Sequence, residues 1–127
     1  MTKEIQELHA CQIKYAEIRE YLFKKRFNIF KKIRFDESSL QLTMLSTMIE
    51  KITWRMEDKK SSQPELNYAN KLLAATNSMQ NVASSLADKA NGQKLDYGSH
   101  QKNIEQWKFD ELERQKYGKV LNDLMNS

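Results

Sequence analysis

Residues that break or turn a chain are scarce here: three glycines and one proline in 127 positions. Tight β-turns draw on Gly and Pro, so an all-β sandwich or barrel is disfavoured. A phosphate-cradling loop needs clustered glycines, whereas Gly92, Gly98 and Gly118 are scattered. Long helices joined by few connections remain, and the length suits a single domain spanning 1–127.

Periodicity and cap signals divide the chain into four expected helices at about 2–34, 39–60, 64–90 and 100–125. In the first, Ile5, Leu8, Cys11, Tyr15, Ile18, Leu22, Ile29 and Ile33 recur at steps of three, four and seven. Thr2 is its expected N-cap, with Glu4 in the first turn. Asp36-Glu37-Ser38-Ser39 reads as a break before the second helix. There Leu42, Leu45, Met48, Ile49, Ile52 and Met56 share one face, while Leu40 and Trp54 project from the other. That opposite side is a candidate second partner surface.

Ser62-x-x-Glu65 matches a capping box, with Pro64 in the first turn. The third helix carries the small-residue stripe Ala69, Leu72, Ala75, Met79, Val82, Ala83, Leu86 and Ala90, and Asn91-Gly92 reads as its C-terminal cap. Ser99 is the expected cap of the fourth helix. Its apolar positions Ile104, Trp107, Leu121, Leu124 and Met125 are poorly phased, and Gly118 is expected to bend or interrupt it. The expected fold is therefore all-α: a four-helix bundle, or a pair of long antiparallel helical hairpins. Charged residues make up 30% of the chain and its mean hydropathy is −0.79, so the core is thin for helices of this length. Self-association, or folding on a partner, would supply the missing burial.

No run approaches the roughly 18 apolar residues of a spanning helix, and the N-terminus lacks a signal-peptide core. With Cys11 as its single cysteine, a cytoplasmic, reducing location is the expectation.

Charge is uneven. Residues 1–35 hold nine Lys/Arg against four Glu and account for the whole excess of +4. Within them, residues 21–35 carry six positive charges, no negative one, and four of the five phenylalanines. On a helical wheel Phe23, Phe27 and Phe30 share an apolar face, while Lys24, Lys25, Lys31 and Lys32 form a positive one. Arg26 falls inside the apolar arc and Arg34 at its edge, so a buried Arg26 needs an anionic partner. In the plainest reading the phenylalanines are core and the lysines a solvated face. In a second, the cations lie along nucleic-acid phosphates. A third is contact with a membrane surface or an acidic protein.

Enzymatic constellations are sparse. His9 and Cys11 lie about 200° apart around a helix and cannot share a metal. No His stands three residues after a Glu, so the di-iron bundle motif is absent. Asp96 and His100 are the one acid–base pair in sequence, and a polar loop with a helix cap would look the same. Asp110-Glu111-x-Glu113, balanced by Lys108, Arg114 and Lys116, reads as a solvated face. Trp54 and Trp107 are packing anchors or interface hot spots. Lysine outnumbers arginine 16 to 5, which weakens a base-reading role. The expected function is a non-enzymatic helical interaction protein: an adaptor, chaperone-like or regulatory subunit. It would use no cofactor or metal, bind a protein partner or a second copy, and work through Lys24, Lys25, Arg26, Lys31, Lys32 and Arg34. Non-specific nucleic-acid binding through the same residues is the alternative, and membrane-surface association a lesser one.

Overall fold

The computed structural model describes residues 2–23 and 34–126 of the chain. Within them lie four helices and no strand: α1 (Lys3–Leu22), α2 (Phe35–Asp58), α3 (Gln63–Ala90) and α4 (Tyr97–Met125). Thr2 caps α1, its Oγ1 accepting from the Ile5 amide at 3.3 Å. A capping box starts α3, with the Glu65 carboxylate accepting from the Ser62 amide at 3.3 Å and the Ser62 hydroxyl at 2.6 Å. Two helices stop in the same way. Gly92 (φ 86) follows α3, with its amide bonded to Lys89 O and the Gln93 amide to Asp88 O. Lys60 (φ 54) follows α2, with its amide bonded to Glu57 O and the Ser61 amide to Met56 O. Both are Schellman closures, one with glycine in the left-handed position and one without.

Boundaries differ from expectation in three places. The first helix, expected through Arg34, is described as α1 to Leu22, where Phe23 leaves helical geometry (φ −112, ψ 28) and turns its ring onto Trp107; the expectation over 24–33 lies outside the described residues. The second starts at Phe35 instead of Ser39, because Asp36 and Glu37 occupy its first turn, where the helix dipole favours acids. The fourth starts at Tyr97, capped by Asp96 instead of Ser99; the Asp96 carboxylate accepts from the Ser99 amide at 3.2 Å and hydroxyl at 3.0 Å. Gly118 does not interrupt α4. A Cβ there would stand 3.2 Å from Tyr68 Cε2, so the glycine lets the ring of α3 lie against the backbone of α4.

Neighbouring helices run antiparallel. Glu4 pairs with Lys59 at 2.6 Å, and Glu7 with Arg55, along α1 and α2. Gln80 of α3 reaches Ser39 of α2 at 3.1 Å. Ser78 bonds to Asp110, and Lys71 pairs with Glu113 at 3.8 Å, along α3 and α4. The core fills with Leu8 and Tyr15 of α1, Leu42, Ile49, Ile52 and Met56 of α2, and Leu72, Thr76, Met79 and Val82 of α3. Ala69, Ala75 and Ala83 are fully buried, which makes α3 the helix the others approach most closely. Met48, at the edge of the expected core face of α2, is 55% exposed. Among the described residues Leu121 is the buried apolar side chain of α4; Ile104 and Trp107 are half-buried, and Met125 is exposed. The elements form a helical bundle, and among the described residues no helix is long and apolar enough to cross a membrane.

Candidate functional site: an outer apolar face and a buried polar clasp

The expected site residues separate. Lys24, Lys25, Arg26, Phe27, Phe30, Lys31 and Lys32 lie outside the described residues. Arg34 stands at the start of α2, its side chain 75% exposed and 3.8 Å from Glu37. Its amide donates to the Tyr21 hydroxyl at 2.8 Å, tying the head of α2 to the end of α1. Phe23 and Trp107 come together, their rings stacked at 4.5 Å and 19°. Trp54 joins neither.

Trp54 is 57% exposed, so it is a surface residue and not a core one. Leu40 (61%), Met44 (63%) and Met48 (55%) share its side of the helix. At about 100° per residue these four fall within roughly 120°, on the far side from Leu42, Leu45, Ile49, Ile52 and Met56. Thus α2 is apolar on two faces, one filled by the bundle and one open. Lys51, exposed, sits in the middle of the open face, and a shallow cleft beside it is lined by Glu7, Met48, Lys51, Trp54, Arg55 and Asp58.

The second feature is polar and interior. No Cα of α1 comes within 8 Å of one in α4, yet the two are clasped by side chains. The fully buried Tyr15 donates its hydroxyl to Glu111 and accepts from Trp107 Nε1 at 3.1 Å. Arg114 binds Glu111 through Nε at 2.9 Å and through Nη2, with its guanidinium 5.0 Å from the Tyr15 ring centroid. Arg19 of α1 reaches the same carboxylate at 3.0 Å. Glu111 and Arg114 are therefore buried, and not part of the solvated face that their sequence neighbourhood suggests. The readable signal was a Glu/Arg pair at i, i+3 on the helix side that also carries Trp107 and Leu121.

Electrostatics follow from that geometry. Burial works to raise the Glu111 carboxyl, but hydrogen bonds from Arg114 and Tyr15 outweigh it and hold the carboxyl below its ordinary value. Burial, reinforced by Glu111, pushes the Tyr15 phenol far up. Burial also raises the Cys11 thiol, which is an inert core group here.

Asp96 and His100 do not meet as an acid–base pair. Asp96 is spent on capping, and the Ser99 amide holds its carboxyl low. His100 Nδ1 lies 3.2 Å from Ser85 Oγ on α3. The Ser85 hydroxyl already donates to Asn81 O at 2.9 Å, so the imidazole meets it as a donor, which pins α4 to α3 without activating a nucleophile. Among the described residues no group of three His, Cys, Asp or Glu side chains is placed to hold a metal ion. Below the clasp the gap between α1 and α4 opens into a cleft of about 560 Å³, lined by Ile5, His9, Tyr68, Gly118 and Asn122 among others. Comparison with protein-family models, curated proteins and solved structures gives no match to this chain.

Proposed function

We propose that this chain is a non-enzymatic helical interaction protein, an adaptor or regulatory subunit that docks an apolar partner surface on the outer face of α2. The observation that carries this reading is the stripe Leu40, Met44, Met48 and Trp54, each more than half exposed on a helix whose other side is packed. Single exposed apolar residues are ordinary, but an aligned stripe holding a tryptophan and two methionines has the composition of an interface centre. The basic, Phe-rich run 21–35 precedes this face directly in sequence. A cytoplasmic location suits the single cysteine.

The test is site-specific photo-crosslinking, with the probe at Met44 and, as control, at exposed Asn77 on α3. Adducts are expected from Met44, reduced by Trp54→Ala, with few from Asn77. Equal yields at both positions, or none at either, would remove α2 as a docking face.

The charge run favours one further reading, non-specific binding of nucleic acid through Lys24, Lys25, Lys31 and Lys32. Anisotropy with labelled oligonucleotides between about 50 and 200 mM salt decides it, since several phosphate contacts cost about 10³-fold or more over that range. Binding that survives conversion of all four lysines to Glu would count against it.

A further inference from the structure

The partner that the outer face of α2 fits is a second copy of itself. We infer that two chains associate through antiparallel α2 helices crossing at Met44, an inference that rests on the docking-face reading above.

The stripe is symmetric about Met44. Leu40 and Met48 stand four residues either side of Met44, and Glu37 and Lys51 seven. Residues equidistant from the crossing point meet at the same height in an antiparallel helix pair. Met44 then packs on the partner's Met44, and Leu40 on the partner's Met48. Glu37 faces the partner's Lys51. Each unlike pair occurs twice, as a two-fold axis requires.

Every group involved is available. Leu40, Met44, Met48 and Trp54 are more than half exposed, and the Glu37 side chain is 56% exposed. Lys51 is exposed, with no ion pair among the described residues. Glu37 is engaged by Arg34 at 3.8 Å, a distance at which a screened surface pair yields readily to a better one. A parallel pair would instead set Lys51 against Lys51 and Glu37 against Glu37, with the helix dipoles aligned. Charge thus selects the antiparallel arrangement.

Sedimentation equilibrium on the purified chain from about 5 to 500 µM tests this, because dimer population follows concentration. A monomer–dimer equilibrium is expected. Lys51→Glu places two carboxylates together at each end and should weaken the dimer about tenfold, as should Glu37→Lys. The double variant E37K/K51E, which exchanges the charges, should return to within about threefold of the parent. Both positions of substitution are solvent-exposed, and unchanged helical circular dichroism confirms folding. A monomer across the range overturns the inference. So does a dimer indifferent to both single changes, or a double variant as weak as either single one. A monomer that still crosslinks from Met44 to a chain of different mass leaves the docking face standing and removes only the self-pairing; no adduct at all removes both.

Discussion

At the scale of single residues, backbone conformation makes the sharpest demand at Lys60. Its φ of 54 places an L-residue in the left-handed region, at the position where Gly92 closes α3. A non-glycine residue there carries about 1–2 kcal/mol of steric cost, part of which glycine returns as greater freedom in the unfolded chain. Lys60 is exposed, so Lys60→Gly is expected to stabilise the fold by about 0.5–1 kcal/mol, read as a higher urea midpoint at unchanged slope. Gly92→Ala is the converse. A Cβ there meets nothing within 4 Å, but the φ of 86 remains, so a loss of about 1 kcal/mol is expected from backbone strain and not from a clash. These stops were only partly legible. Thr2, Ser62 with Glu65, and Asn91-Gly92 were readable because caps are local and use a short list of residue types. Lys60 carries no such mark, and Asp96 and Ser99 are rival caps whose contest is settled by which one the other donates to.

At the scale of elements, α1 and α4 are the pair whose association differs in kind. The apolar stripes of α1, α2 and α3 were legible as periodicity, and most residues the spacing selected are buried; Met48 and Ala90 are exposed, Leu86 is half-buried, and Ile29 and Ile33 lie outside the described residues. The attachment of α4 was not, because it uses hydrogen bonds and ion pairs where a hydropathy pattern looks for leucines. Tyr15→Phe tests the clasp directly. It removes the proton donated to Glu111 and the oxygen that receives Trp107 Nε1, leaving the buried carboxylate and the half-buried indole each one partner short. Such losses cost about 1–3 kcal/mol. With no backbone approach between the two helices to compensate, the effect should concentrate at that seam. Hydrogen exchange is the measurement: amides of α1 and α4 should exchange faster in the variant, while the α2–α3 hairpin changes little. Uniform acceleration across all four helices would mean that the clasp is not a separable element.

At the scale of the whole molecule, its acid response follows from how these contacts are distributed. Three carboxylates at three sites are held below their ordinary values. Glu4 is lowered by its hydrogen bond from Lys59 at one end of the α1–α2 pair, and Asp96 by the Ser99 amide at the start of α4. At Glu111 burial opposes the shift, but Arg114 and Tyr15 prevail. A carboxyl whose folded value is depressed stabilises the fold fully above its unfolded value, and that contribution is lost as pH falls through the folded one. The melting temperature should therefore be nearly flat above about pH 5 and decline below about pH 4.5. The three groups join α1 to α2, α1 to α4, and the α3–α4 loop to α4, so the loss should register as loosening of the outer helices before the α2–α3 hairpin gives way. Glu111→Gln separates the interior contribution from the two nearer the surface. It removes the titrating charge while leaving Arg114 buried beside a neutral partner, so it should lower stability at neutral pH by about 3–5 kcal/mol. The acid decline should also become shallower in this variant, because one of the three protonation steps is gone. Melting curves of parent and variant from about pH 3 to 7 decide the point. A variant whose decline matches the parent's would show that Glu111 stays ionised throughout, and would move the whole acid response to Glu4 and Asp96.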